Sequence, residues 1–517
     1  MKHIKKLASL LLALVMVLSL AVTAFADEPT TYSITINNST AGHTYEAYQI
    51  FTGDLATNEA GNKVLSNIVW GSGVSEAGQT ALGDAAAKAE TLKTEADAKA
   101  FAKAVAPYLT TAAGSANTVT DGKYVISGLA AGYYLVKDQD GSLTGDNDSY
   151  TEYIIQVVGN VTATPKSDVP EVQKKVKDIN DSTDTTKTDW QDSADYDIGD
   201  SIPFQLKATL ADNVSSYTTY KVVFHDTLSK GLTYNNDAKV YIDGTETNGF
   251  TVTATVNADG ITTLTVSCDD VKALGAGNSS VITVEYTAKL NENAVLGSAG
   301  NPNEVYLEYS NNPNKSENGN NETGETPKDV VIVFTYKTII NKVDSENAPL
   351  TGAAFKLEKL IKGKDGAAGT WTTVKEFTVD ETTTSFTFSG LDDGQYKLTE
   401  TKTPVGYNTI DPIYFVIEAT HDATADTPAL TVLKAYLTDE NGNKKTEVKD
   451  GETVNIDLGT VDLTAGSITT TVVNKSGSEL PSTGGIGTTI FYVLGGVLVL
   501  AAVVLLVTKK RMSGAEK

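Results

Sequence analysis

The chain has 517 residues, a formal charge of −24, one cysteine and four histidines. So acidic a surface argues against nucleic acid as a partner and favours a solvated object that does not aggregate. A single thiol excludes a disulfide framework, and so few histidines leave metal sites and Ser-His catalysis with few parts, so no metal or cofactor is expected.

In chain order, Lys2, Lys5 and Lys6 precede an apolar run over 7–22, and Ala24-Phe25-Ala26 puts small residues at the two positions a signal peptidase reads. This predicts a secretory signal peptide over 1–26. Beyond it nearly everything reads as β-structure, with Thr/Val/Tyr/Ile alternation broken by Gly, Asn and Asp turns, as over 281–290, 330–343 and 467–474. One stretch departs: 79–109 is rich in Ala, Lys and Glu, has no glycine after Gly83, and is predicted helical. A weak repeat sets Ser127-Gly128-Leu129-Ala130-Ala131-Gly132-Tyr133-Tyr134 against Ser389-Gly390-Leu391-Asp392-Asp393-Gly394-Gln395-Tyr396, so the first and third units are expected to share a fold. Boundaries are expected near 165–170 and in the polar run 318–329. The expected fold class is mainly β: three tandem immunoglobulin-like β-sandwich domains over 27–165, 168–335 and 336–477, the first with an inserted Ala-rich helical segment.

The first unit opens on Tyr32-Ser33-Ile34-Thr35-Ile36-Asn37-Asn38, which carries no lysine. Asp138 falls opposite Glu400 in the repeat, and with no nucleophile to serve it is read as a surface acid. No crosslink is expected there. At the junction with the second unit stands Asn160-Val161-Thr162-Ala163-Thr164-Pro165-Lys166. Proline holds this segment extended and exposes the lysine. It resembles the pilin motif of Gram-positive shaft subunits, with Thr164 where that family usually has Tyr and Ser167 where Asn is common. The resemblance implies that Lys166 is the amine a sortase joins to the next subunit.

In the second unit, Val172-Gln173-Lys174-Lys175-Val176 places Lys174 in phase with two valines. Together with Phe224-His225-Asp226-Thr227-Leu228-Ser229-Lys230-Gly231-Leu232 and Asn301-Pro302-Asn303-Glu304-Val305-Tyr306, it resembles the A-type (CnaA) middle domain of pilins. The resemblance implies a Lys174–Asn303 isopeptide bond formed with Asp226 as catalyst; Lys175 and Asn311 stay open as alternatives.

In the third unit, Lys342 is in phase with Ile340 on the opening strand, where a lysine on the core face is costly unless compensated. Tyr396-Lys397-Leu398-Thr399-Glu400-Thr401-Lys402-Thr403-Pro404-Val405-Gly406-Tyr407 puts Glu400 in phase with Tyr396 and Leu398, and the last strand ends at Asn474. These segments resemble the collagen-adhesin B-type (CnaB) domains, which join Lys to Asn spontaneously. The resemblance implies Lys342 as nucleophile, Glu400 as catalyst and Asn474 as electrophile. Burial disfavours both charged forms, so a neutral amine and a protonated acid coexist at neutral pH. The acid polarises the amide carbonyl, the amine attacks, and ammonia leaves.

The chain closes on Leu480-Pro481-Ser482-Thr483-Gly484, an apolar stretch over 490–507, then Lys509, Lys510 and Arg511. That stretch is long enough to cross a bilayer with its basic tail inside. The whole of 480–517 resembles the LPxTG wall-sorting signal, which implies sortase cleavage between Thr483 and Gly484. Removing both ends takes away seven basic residues (Lys2, Lys5, Lys6, Lys509, Lys510, Arg511, Lys517) and one acid (Glu516), which moves the formal charge to −30.

These resemblances imply a structural shaft subunit of a covalent, wall-anchored surface pilus. Its partners would be identical subunits, class C-type and housekeeping sortases, minor pilins and peptidoglycan, with no cofactor and no nucleic acid. Its only chemistry would be self-directed. A monomeric wall-anchored adhesin uses the same parts without Lys166. A wall-anchored enzyme finds no carboxylate pair, metal cluster or nucleophile–histidine frame to support it.

Overall fold

The computed structural model describes residues 31–57, 63–151, 153–157, 160–165, 167–183, 189–316, 322–363, 368–477 and 486–512. The signal peptide, Lys166 and the sorting pentapeptide with Thr483 lie outside these described residues.

Period-two alternation produces three sandwich units in a row. In the first, Tyr32–Asn37 lies between Lys123–Leu129 and the edge strand Val161–Ala163. The facing sheet runs Lys63–Trp70, Tyr45–Thr57, Tyr133–Asp138, Ile154–Val157. The predicted helical stretch is three short helices, Glu76–Leu82, Ala85–Glu90 and Glu95–Val105. Ser75, Asp84 and Thr94 each cap a new start, and Thr94 with Asp97 forms a reciprocal capping box, so local hydrogen bonds divide what composition alone reads as continuous. The helices pack Ala85, Ala89, Phe101, Ala102 and Val105 onto Phe51, Tyr133 and Leu135, covering the outer face of the sheet.

The middle unit stacks two seven-stranded sheets. One carries Glu171–Lys177, Ser201–Thr209 and Val281–Leu290 side by side; the other carries Asp329–Phe334, Asn301–Ser310, Val222–Leu228 and Thr262–Cys268. The polar run read as a linker over 318–329 is internal to this unit: Thr323–Glu325 and Asp329–Phe334 both return to pair with Asn301–Ser310. The passage to the third unit is Thr335 alone, between Phe334 and the next strand. Turn-rich composition marks a surface loop whether or not a domain ends there.

The third unit has Ser385–Leu391, Tyr336–Val343, Ser467–Val473 and Thr460–Asp462 in one sheet, and Thr370–Glu376, Ala354–Ile361, Gly394–Lys402, Ile413–His421 and Leu430–Thr438 in the other. Its opening strand runs parallel to its last strand, as Tyr32–Asn37 does to Val161–Ala163 in the first unit. This is the shared topology that the weak repeat foretold.

The helix Ile486–Met512 follows, with Val493, Leu494 and 497–507 exposed. Side chains are described at 493–495 and 497–509 only, and within them no stretch is long and apolar enough to cross a membrane. The expected spanning segment over 490–507 therefore rests on the sequence.

Candidate crosslinking sites

In the middle unit, alternation along Glu171–Lys177 turns Lys174 and Val176 fully inward. On the facing sheet Asp226 is opposite Val305 and Leu228 opposite Asn303, so Asp226 and Asn303 are two register positions apart and share the inner face. Lys174, Asp226 and Asn303 are all completely buried. The Lys174 Nζ contacts the Asp226 carboxylate and lies 3.2 Å from the Tyr286 hydroxyl. That hydroxyl donates to Asp226 Oδ2 at 2.5 Å and accepts from Asn303 Nδ2 at 2.7 Å. The rings of Phe204 and Tyr286 flank the amine, each centroid 5.5 Å from Nζ. Asp329 Oδ2 accepts the Lys174 backbone N–H at 2.6 Å, tying the first strand of the unit to its last.

Burial pushes the Lys174 amine down although Asp226 opposes it. Burial likewise pushes the Asp226 carboxyl up although Lys174 opposes it. Both shifts act towards the neutral amine and the neutral acid. The open alternatives have other work. Lys175 pairs with Asp192, and Asn311 donates its amide to Asp148 of the first unit at 3.2 Å. Tyr286 was missed by the sequence reading, although the alternation of Val281–Leu290 places it inward beside Val284 and Ala288.

In the third unit, Lys342 is opposite Val472 on the parallel last strand. Its Nζ donates to the carbonyl oxygens of Val343 and Val472 at 2.7 and 3.1 Å. The Val343 carbonyl also accepts the Asn474 backbone N–H at 3.1 Å, so the amine and the asparagine meet at one oxygen atom. From the facing sheet, Glu400 accepts Asn474 Nδ2 on both carboxylate oxygens, at 2.9 and 3.0 Å, and takes further bonds from Thr403 and the Ile410 N–H. Burial pushes the Lys342 amine down against the charges of Glu400 and Asp344. In both units the asparagine Oδ1 is buried without a partner. The two ends of an amide are alike in shape, so a half-turn brings that oxygen to the acid or hydroxyl now facing the nitrogen.

The first unit corrects one expectation. Asp138 is buried, not a surface acid: it bonds His43 Nδ1 and the Thr151 N–H, both at 2.7 Å. Tyr45 joins the knot, with Thr151 Oγ1 at 3.1 Å and Asn38 Nδ2 at 2.8 Å. Asp138 is in phase with Tyr134 and Val136, which face the sandwich interior. The alternation that located Glu400 would have located it too.

A third buried lysine differs from the two above. Lys359 pairs with Asp392, with Asp197 at 2.6 Å and with Asp181 at 3.7 Å. Burial alone would lower its amine, but Asp392 and Asp197 outweigh that and hold it up, so it stays a cation. With His421 it fastens the third unit to the middle one. His421 Nδ1 meets Ser193 Oγ at 2.7 Å, and Nε2 faces Asp178 at 3.5 Å and Asp195 at 3.7 Å. Asp178–Asp195–His421 and Asp181–Asp197–Asp200 each bring three ligand-type atoms within 4.8 Å. In the first of these groups the cationic His421 is itself a member, and in the second Lys359 pairs with Asp181 and Asp197.

Burial raises the carboxyls of Asp178, Asp197, Asp200, Asp392 and Asp393 at this joint, so docking takes up protons. Burial and then Asp197 push Asp200 up to about 6; burial and then Asp195 push Asp393 up to about 8. Burial would lower His421, but Asp178 and Asp195 raise it to about 10. Every shift is upward, so the docked joint is most stable below the ordinary values of these groups. It loses that stability as pH rises through about 6, 8 and 10. Small-angle scattering should accordingly show the last two units aligned in mild acid and increasingly hinged in alkali. A profile unchanged across that range would contradict the assignment.

Three family models match the chain: a Gram-positive pilin backbone subunit 2, Cna-B-like domain over 198–313; a prealbumin-like fold domain over 337–430; and an LPXTG cell wall anchor motif over 472–513. The middle match is described as Cna-B-like, whereas the sequence resemblance was to the A-type. The trypsin-resistant surface T6 protein of Streptococcus pyogenes serotype M6 is 27% identical over 462 residues, covering 76% of this chain and 77% of that protein. The three-domain T6 backbone pilin of serotype M6 Streptococcus pyogenes aligns in structure with a TM-score of 0.57 at 19% identity, covering 88% of this chain and all of that one. The structural likeness establishes the three-sandwich fold. The pilin backbone and wall-anchor models supply what the fold alone does not.

Proposed function

We propose that this chain, a Gram-positive backbone pilin with Cna-B-like domains and a cell-wall anchor motif, is polymerised by sortase through Thr483 of one subunit and Lys166 of the next, and is stapled internally by Lys174–Asn303 and Lys342–Asn474 isopeptide bonds. The observation that carries the staples is the burial, in each of two units, of a lysine, a carboxylic acid and an asparagine in one contact network. A buried lysine and acid gain little as an ion pair, whereas joining the lysine to the asparagine as an amide removes the amine's charge.

In each unit the neutral Nζ attacks the asparagine Cγ. The Nζ–Cγ bond forms, the Cγ–Nδ2 bond breaks, and one proton passes from Nζ to Nδ2 so that ammonia departs. Glu400, which faces the Asn474 amide directly, and Asp226, which reaches the Asn303 amide through Tyr286, serve as the acid catalysts. The helix Ile486–Met512 with its basic end would hold the precursor at the membrane until sortase cuts after Thr483. Polymerising and housekeeping sortases, minor pilins and peptidoglycan are the partners this reading requires.

Intact mass tests the staples. The mature chain, 27–483, is expected to be lighter than its sequence by two ammonia molecules, and Glu400→Ala by one. A mass equal to that of the plain sequence would sink the reading.

A further inference from the structure

The two proposed staples are not built alike. In the third unit Glu400 itself touches the amide of Asn474. In the middle unit the acid has no direct bond to the asparagine; Tyr286 stands between them. Its hydroxyl lies 3.2 Å from the nucleophile Nζ, 2.5 Å from the acid and 2.7 Å from the electrophile's amide nitrogen. No other described side chain contacts all three groups.

We propose that Tyr286 is a catalytic residue of the middle-unit crosslink, whose hydroxyl carries the proton from the attacking amine to the departing ammonia. The inference rests on the Lys174–Asn303 bond proposed above. As Nζ bonds to Cγ, the amine must shed one proton, and Nδ2 must gain one before the Cγ–Nδ2 bond breaks. Tyr286 receives the first from Nζ and gives its own to Nδ2, ending as it began. Nothing is oxidised or reduced and no co-reactant enters.

The surroundings suit a relay. When Asp226 carries a proton, the phenol O–H is free to turn from the acid towards the amide, and the acid can donate in its place. Burial first, and the Asp226 charge where that acid is ionised, make the phenol much less acidic than usual, so the hydroxyl keeps its proton until the adduct forms. The ring stacks on Phe204 at 5.4 Å and meets Tyr234 edge-on at 5.6 Å, which fixes the hydroxyl's position.

Tyr286→Phe keeps the ring and deletes the hydroxyl, and the third unit serves as an internal control in the same molecule. Freshly made wild-type mature chain should already lack two ammonia molecules. The variant should lack one, with the second lost on the order of a hundredfold more slowly, the usual worth of a positioned proton donor. Peptide mapping should place the open link at Lys174 and Asn303. Near-UV circular dichroism should match that of Lys174→Ala, which folds without the option of linking. Should Tyr286→Phe fail to fold, fluorotyrosine at 286 decides, because it keeps the shape and makes the phenol more acidic; the linking rate and its pH profile should both shift. Linking at the wild-type rate in the folded variants would overturn the relay. A wild type lacking fewer than two ammonia molecules would instead overturn the bond on which it rests.

Discussion

Lys166→Ala is expected to abolish the high-mass ladder in cell-wall extracts while leaving single subunits on the wall. The acyl group on Thr483 must be met by an unprotonated amine that can enter the sortase groove. Lys174 and Lys342 are fully buried and have partners of their own. Lys166 lies between the strand Val161–Ala163 and the strand Glu171–Lys177, and Thr164 and Asp168 on either side of it are exposed. A link from beyond the third unit of one subunit to the base of the first unit of the next is head-to-tail and does not close, so it makes a fibre. Lys166→Arg should fail equally, because a guanidinium stays charged and cannot act as the nucleophile. Full-length polymers from the Lys166→Ala strain would move the shaft role to another residue. A wild type that gives a single species and no ladder would instead leave the wall-anchored adhesin as the better reading.

Asn474→Ala should produce the largest loss of stability. It removes the electrophile, opens a loop of about 130 residues, and leaves Lys342 as an uncompensated buried amine beside Glu400. By the loop-entropy relation the staple contributes about 5 kcal/mol, comparable with the whole net stability of a small domain. For a unit of this size that corresponds to a melting shift of roughly 15–20 °C. The third unit alone should become trypsin-sensitive, because the first and middle units keep their own cores. Calorimetry and timed proteolysis read both effects. Unchanged resistance in this variant would count against the bond.

Much of this was readable residue by residue. Phase along a strand favoured Lys174 with Lys175 left open, and the same phase placed Glu400 and Lys342 inward, because successive side chains alternate between faces. The alternation of Val281–Leu290 also carried Tyr286 inward. What it lacked was any sign that a tyrosine there differs from an ordinary core tyrosine, since its partners come from strands dozens of residues away. Asp138 has no lysine to serve, yet it keeps the inward phase of its strand because His43 and the Thr151 N–H satisfy its carboxylate there.

By itself, then, the sequence determined the succession of β-units, the wall-anchor motif and the inward phase of Lys174, Lys342 and Glu400, because all of these are local: period, punctuation and short motifs. Only the tertiary structure decided which groups surround each asparagine. Asn303 and Asn311 are both buried; the register of Asn301–Ser310 against Val222–Leu228 turns Asn303 to Tyr286, and Asn311, just past that strand, meets Asp148. It alone decided that Lys359 is a fastening cation while Lys174 and Lys342 are held towards neutrality. Burial is common to all three; the difference is the number of carboxylates that the neighbouring unit brings, and those come from across a domain joint.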